Sequence, residues 1–151
     1  MRKRMILPML LLAAALLLCG CGGRAYYTVD EVEMLVDAGA FPGSDMVKAE
    51  DGILPALYGI DAETALQCVG YLAANTSDSA DEVAVFIMKD KEAAAAAEEA
   101  CRRRVEEQLA VYRTRCPEAV PRLEDAYIHR LENTVLLAVG DAALIAELLK
   151  D

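Results

Sequence analysis

The segment that most restricts the fold of this chain is residues 90–116, DKEAAAAAEEACRRRVEEQLAVYRTRC. Its alanines have the highest helix propensity of any residue, and apolar side chains recur at helical spacing along one side. Pro117 follows directly, where proline favours the end of a helix. The segment therefore predicts one long amphipathic helix, and its apolar stripe consists of Ala97, Cys101, Val105, Leu109, Tyr112 and Cys116.

The opposite side of this helix is predicted to be a solvated face rich in charge. Glu98 and Arg102 are four residues apart, in the order that favours an ion pair between successive turns. Glu99 and Arg103 repeat the spacing. The run Arg102-Arg103-Arg104 is interpreted as part of this solvated face, with a binding patch as the alternative.

Two hairpins flank the long helix in the sequence. Residues 64–74 and 82–89 are rich in strand-forming side chains, and the polar cluster 75–81 separates them. Residues 126–139 predict a second hairpin, in which Asn133 tolerates the left-handed backbone that such turns require. The first strand is predicted to carry on one face Leu66, Cys68, Gly70 and Leu72.

Shorter helices are predicted at both ends of the domain. Thr28 has the character of an N-cap, with Glu31 three residues later as in a capping box, and Gly39 ends that helix. Residues 142–150 predict a last helix that follows Gly140 and Asp141.

The order of these elements predicts the fold class. Residues 40–51 are interpreted as a loop and residues 53–58 as one short helical turn. We predict a single α+β domain over residues 28–151, with a mainly antiparallel sheet of about four strands in two hairpins. The long central helix and the shorter terminal helices are predicted to pack on one face of that sheet.

The N-terminal segment has the composition of a secretory signal. Arg2, Lys3 and Arg4 precede an apolar run over residues 5–18. That run is shorter than the roughly 20 residues that a membrane-spanning helix needs. Residues 1–20 are therefore predicted to be a cleaved signal peptide, with an uncleaved anchor helix as the alternative.

The sequence Leu18-Cys19-Gly20-Cys21 resembles the lipobox of bacterial lipoproteins, in which a small residue precedes the acylated cysteine. Gly20 selects Cys21 for lipid attachment, because the residue before Cys19 is the larger Leu18. A diacylglyceryl group on Cys21 supplies two acyl chains, which anchor a protein stably where one chain binds only reversibly. Residues 21–27 are then a lipidated cysteine and short tether. A C-x-C metal site is the weaker alternative, because no histidine lies nearby.

The acidic composition restricts the partners of the mature chain. Removal of Arg2, Lys3 and Arg4 leaves 12 Lys+Arg against 25 Asp+Glu, which changes the formal net charge from −10 to −13. Such a domain will not bind nucleic acid by neutralising phosphates, and anionic lipid repels it. The charge is interpreted as a source of solubility, with a cationic ligand as the alternative.

Few residues in the chain point to catalysis or metal binding. His129 is the only histidine and is predicted to lie in a strand in a partly exposed structural role, because no positioned companion is evident. Cys68, Cys101 and Cys116 lack the C-x₂₋₄-C spacing of zinc sites. They are predicted to be buried free thiols, with one disulfide from Cys68 to either other cysteine as the alternative. No catalytic residue, cofactor or metal ligand is assigned.

The acidic residues of the first hairpin loop are interpreted as part of a solvated turn. Asp78, Asp81 and Glu82 offer oxygen ligands to a cation, but the spacing and glycine of an EF-hand are missing. A weak cation site is kept as the alternative.

Three short segments resemble a known family. They are LYGIDAE at 57–63, ADEVAVF at 80–86, and the helix running through Tyr112, Cys116 and Pro117 into LEDA at 123–126. They resemble small bacterial lipoproteins grouped as domain of unknown function 4358, common in clostridia-like Gram-positive bacteria. The family's second hairpin often turns through Gly-Asn-Tyr, whereas this chain has Glu132-Asn133-Thr134. The resemblance implies no catalytic residues.

Together these features predict a lipid-anchored protein on the outer, extracytoplasmic face of the cytoplasmic membrane. Its expected role is non-enzymatic binding of a protein or a small ligand, without nucleic acid. The alternative is a small membrane-tethered hydrolase or redox protein that uses His129 or a cysteine. A cleft joining His129 to a nucleophile or carboxylate favours the enzyme, and a packed core around the cysteines favours the binding module.

Overall fold

The computed structural model describes residues 23–150. The predicted signal peptide, residues 1–20, and the predicted lipid-attachment residue Cys21 lie outside the described residues. Within residues 23–150, every helix is too short or too polar to cross a bilayer.

The core of the fold is an antiparallel sheet of five strands in the order β1-β2-β3-β5-β4. All neighbouring strands are antiparallel. The two predicted hairpins, β2–β3 and β4–β5, are confirmed, and β3 pairs with β5 to join them into one sheet. The strands are β1 Met46–Lys48, β2 Ala65–Ala73, β3 Glu82–Met88, β4 Tyr127–Leu131 and β5 Thr134–Val139.

Strand β1 is additional to the four predicted strands and lies within residues 40–51, which were predicted to form a loop. Val47 lies opposite Leu72, so Met46–Lys48 pairs with the outer edge of β2. Three residues are too few to show a two-residue periodicity, and this strand exists because β2 offers it an unpaired edge.

Helices cover both faces of the sheet, so the prediction that they pack on one face was wrong. Side chains alternate across β3, where Val83 and Val85 belong to one apolar cluster and Ala84 and Phe86 to the other. Central strands buried on both sides read as continuous apolar runs, and VAVFIM at 83–88 is such a run, so the sequence itself indicates a sheet covered on both faces. Within residues 23–150 the α-helices are α1 Val29–Asp37, α2 Ile53–Tyr58, α3 Lys91–Arg115, α4 Val120–Glu124 and α5 Ala142–Leu148.

The two helical layers have different members. Val32 and Leu35 of α1 and Ile145 of α5 pack against Val83, Val85, Leu136 and Ala138. The long helix α3 lies on the opposite face, together with α2 and α4. Its predicted stripe is confirmed, since five of the six side chains are buried and Leu109 is half-buried.

The predicted capping box of α1 and the predicted end of α3 are also confirmed. Thr28 and Glu31 form the capping box of α1 through reciprocal backbone hydrogen bonds. Asp90 caps α3, and its side chain accepts a hydrogen bond from the Ala93 backbone N–H at 2.7 Å. Pro117 follows the C-cap residue Cys116.

The β4–β5 turn differs from the sequence-based expectation in one residue. Glu132, rather than Asn133, has the left-handed backbone, with φ of 52°. Asn133 instead uses its side-chain amide to donate a hydrogen bond to the Met88 carbonyl at 2.7 Å. An L-residue with a bulky side chain is strained in this conformation, and glycine is not.

Glu132→Gly is expected to stabilise the domain by about 0.5–1 kcal/mol, because relief of the left-handed strain exceeds the extra entropy of glycine in the unfolded chain. The Lys91–Glu132 ion pair that is lost is solvent-exposed and contributes little. Urea denaturation measures the effect. Glu107→Gly is the matched control, because it places glycine at an exposed position within α3 and should destabilise by about 1 kcal/mol. Destabilisation by Glu132→Gly would contradict the strained turn.

Candidate functional site

The interpretation of Asp81 and Glu82 as residues of a solvated turn was wrong. Both are fully buried, at 1% residue exposure, where the first hairpin loop enters β3. Each forms an ion pair with an arginine from a different helix, Arg122 of α4 and Arg104 of α3. Buried carboxylates require such partners. These two arginines therefore make it possible for acidic residues to lie at the start of the central strand β3.

Glu82 and Arg104 form a two-pronged ion pair. The Arg104 Nε lies 3.1 Å from Glu82 Oε1 and 3.0 Å from Oε2, and its Nη2 lies 2.7 Å from Oε2. The Glu82 side chain is 2% exposed and that of Arg104 17%. The prediction that Arg104 belongs to the solvated face of α3 is therefore wrong, whereas Arg102 does pair with Glu98 on the surface.

Two further side chains complete the surroundings of this pair. The Arg104 guanidinium lies over the Tyr58 ring, 4.8 Å from its centroid, in the geometry of a cation–π contact. The Gln108 amide, oriented with its nitrogen towards the carboxylate, donates to Glu82 Oε1 and accepts from Arg104 Nη2, both at 3.1 Å. The Tyr58 hydroxyl is buried and has no hydrogen-bond partner in good geometry among the described residues.

Burial and charge act in opposite directions on the acidity of these groups. Burial raises the pKa of the Glu82 carboxyl, and the charge and hydrogen bonds of Arg104 oppose that rise. Burial alone would lower the pKa of Arg104, but Glu82 outweighs it and the pKa of Arg104 is raised. Burial also raises the pKa of the Tyr58 hydroxyl well above its usual value, although the Arg104 charge opposes this. Arg104 is thus the group that favours the charged form of Glu82 against the effect of burial.

The second ion pair joins α4 to the β2–β3 loop, and its carboxylate also holds the loop before β1. Arg122 Nε lies 2.7 Å from Asp81 Oδ1, and the Gly43 backbone N–H donates to Asp81 Oδ2 at 2.7 Å. A Cβ at position 43 would clash with Arg122 Nη2, Ser79 Oγ and Asp81 Oδ2, so any larger residue would displace the groups that form this ion pair. The geometry gives Asp81 a role in holding the loop.

A cavity of about 130 Å³ opens beside Glu82 and Arg104. The side chains of Leu57, Leu72 and Tyr112 are among its lining residues. Val47 lies directly opposite Leu72 on the same face and is 55% exposed, and Leu57 is 39% exposed. The cavity thus combines an apolar rim with a buried ion pair in its wall, which is the composition of a site for a small amphipathic group.

Two of the three cysteines lie in the apolar core as predicted, and Cys68 packs at its edge. Cys101 and Cys116 are buried and Cys68 is half-buried, and all three are free thiols in the structure. Burial raises the pKa of Cys68 to about 11 and raises that of Cys101 as well. The Cys116 thiol donates to the Asp78 carbonyl, at a sulfur–oxygen distance of 3.2 Å. Thiols of this kind are poor nucleophiles.

His129 lies on the edge strand β4, away from the cysteines. Its Nδ1 lies 2.7 Å from the Tyr27 hydroxyl, which is also 2.7 Å from the Tyr127 hydroxyl. The Tyr27 and His129 rings meet edge to face, with centroids 5.9 Å apart. Residues 23–150 contain no cluster of histidine, cysteine and carboxylate side chains suited to a metal ion.

Sequence patterns alone do not bring together Tyr58, Glu82, Arg104 and Gln108. A usable signal exists for Arg104, which follows Cys101 by three residues and Ala97 by seven and so lies at the edge of the apolar stripe. No local signal pairs it with Glu82, because that contact joins residues 22 positions apart.

The comparisons with known proteins identify a family. Neither a curated protein nor a solved structure matches this chain. One family model does match, over residues 41–140, and it is described as Domain of unknown function (DUF4358). This match covers both ion pairs, the cavity and all five strands. The chain therefore belongs to the DUF4358 family.

Proposed function

We propose that this protein is a lipid-anchored binding module on the outer face of the cytoplasmic membrane. Cys21 carries the diacylglyceryl group, and the domain binds a protein or a small ligand without catalysing a reaction. The observation that supports binding over catalysis is the placement of the candidate nucleophiles. Cys101 and Cys116 are core residues, and His129 contacts the Tyr27 hydroxyl.

The alternative of a hydrolase or redox protein requires an activated group. A catalytic thiol needs a lowered pKa and access to solvent, whereas burial raises the pKa of Cys68 and Cys101. Glu82 is held by Arg104 in a two-pronged pair, so its oxygens are already engaged. These contacts favour a structural and recognition role for the polar groups.

The cavity beside Glu82 is the proposed ligand site. Leu57 lines the cavity and Val47 is the strand partner of the lining residue Leu72. Both offer exposed apolar surface whose burial by a ligand is favourable. Arg104 is 17% exposed at its side chain and offers a cationic hydrogen-bond donor in the cavity wall. A ligand with an apolar body and an acceptor group matches this arrangement.

Cys21→Ala is expected to abolish acylation and to leave the precursor uncleaved, because transfer of the lipid requires a thiol at that position. Metabolic labelling with a radioactive fatty acid, followed by membrane fractionation, measures the effect. Cys19→Ala is the matched control and should be labelled and processed as the natural chain is. A lipid-labelled mature protein from Cys21→Ala would contradict the proposed attachment site.

A further inference from the structure

The chain enters the folded domain at one end of the sheet. The Arg24 guanidinium donates to the Leu149 carbonyl at 3.1 Å and pairs with Glu31 at 3.2 Å. The Tyr27 backbone N–H donates to Thr134 Oγ1 at 2.8 Å, beside the β4–β5 turn. The domain is therefore packed from Arg24 onward, and we call this region, with the β4–β5 turn, the proximal end.

The proposed acyl anchor lies very close to the proximal end. Cys21 and Arg24 are three residues apart, so their α-carbons cannot be more than about 10 Å apart even in a fully extended chain. A domain held by so short a connection cannot turn its opposite end towards the bilayer without moving the anchor.

The cavity lies at the other end of the same sheet. Thr134 pairs with Ile87, and Val139 pairs with Glu82, so the proximal end and Glu82 are separated by five strand positions. At about 3.3 Å per residue this is about 17 Å. The long helix α3 runs from the proximal end towards the cavity. Lys91, at its start, pairs with Glu132 of the proximal end, and Arg104, further along, pairs with Glu82.

We propose that the proximal end rests on the membrane surface and that the cavity beside Glu82 opens away from it. This inference rests on the proposed anchoring of Cys21. Tyr26, which is 58% exposed, is the aromatic residue nearest the anchor and lies at the lipid–water interface, where tyrosine and tryptophan side chains are enriched. The ligand site then faces the extracytoplasmic space, where a partner can reach it.

Tryptophan fluorescence tests this orientation directly, because the natural chain contains no tryptophan. Tyr26→Trp and Val111→Trp each introduce a single fluorophore at sites with similar exposure, 58% and 51%. Val111 lies about 30 Å along α3 from Lys91, at the far end of the domain. The full acylated protein, extracted from membranes, is reconstituted into phosphatidylcholine vesicles with and without brominated acyl chains.

The brominated lipid is expected to cause a marked loss of emission from Tyr26→Trp and no loss from Val111→Trp. Equal quenching of the two variants, or stronger quenching of Val111→Trp, would overturn the orientation. Intact mass measured on the same samples separates the two claims. Protein that carries no diacylglyceryl group would overturn the anchor and the orientation together, whereas acylated protein with equal quenching would overturn the orientation alone.

Discussion

Arg104→Met should lower the free energy of unfolding by about 3–5 kcal/mol, because it leaves the Glu82 carboxylate buried without its cation. Glu82 is 1% exposed and receives three short contacts from this one guanidinium. Gln108 alone cannot replace them, since it offers one hydrogen bond to the carboxylate. Urea denaturation measures the change. Arg102→Met is the matched control, because Arg102 forms an exposed pair and should cost at most about 0.5 kcal/mol.

The Arg104→Met defect should also depend on pH. Burial raises the pKa of Glu82 in the folded state, and the variant lacks the arginine that opposes this rise. A folded-state pKa above the unfolded value means that the folded state binds the proton more tightly. Stability is therefore lost as pH rises from the ordinary carboxyl pKa of 4.5 through the raised folded pKa, and the deficit relative to the natural chain grows in that direction.

A double variant separates the loss of the ion pair from the loss of packing. Glu82→Leu combined with Arg104→Met removes both charges and should recover most of the stability, because buried ion pairs are often matched by apolar residues of similar size. A double variant as unstable as Arg104→Met, with no dependence on pH, would contradict the account of an orphaned carboxylate.

Ala97→Asp should destabilise the domain by about 4 kcal/mol or prevent folding, because it places an unpaired carboxylate in the core. Ala97 is 1% exposed and belongs to the cluster between α3 and the sheet. Ala110→Asp makes the same change on the exposed side of the same helix, so it carries only the helix-propensity penalty of below about 1 kcal/mol. Melting temperatures of the two variants measure the difference. Similar shifts for both would contradict the assigned face of α3.

Local patterns were sufficient to predict most of the secondary structure. The alanine-rich segment, the capping box at Thr28 and the β-branched strands each specify their own backbone through propensity and periodicity. The short strand Met46–Lys48 could not be predicted in this way, because it depends on pairing with β2. The continuous apolar runs of β3 and β5 indicate a sheet covered on both faces, but no local pattern assigns α1 and α5 to one face or the other.

The candidate site was harder to predict than the fold. Asp81 and Glu82 follow a polar run, so their local composition indicates solvent, whereas contacts with Arg122 and Arg104 from distant helices bury them. A charged residue is buried only when its partner is present, and that partner is specified by the tertiary structure. Both carboxylates lie within ADEVAVF at 80–86, which is one of the segments that resemble the family.

The proposal of a lipid-anchored binding module is tested most directly by counting reactive thiols in the mature protein, purified from membranes under reducing conditions. If Cys21 is acylated and the other cysteines are core residues, a thiol reagent at neutral pH should find no fast-reacting group in the native protein. Denaturation should then expose three thiols, those of Cys68, Cys101 and Cys116. A fast native thiol mapped to Cys21 would contradict the anchor, and one mapped to Cys68, Cys101 or Cys116 would contradict the binding module in favour of an enzyme.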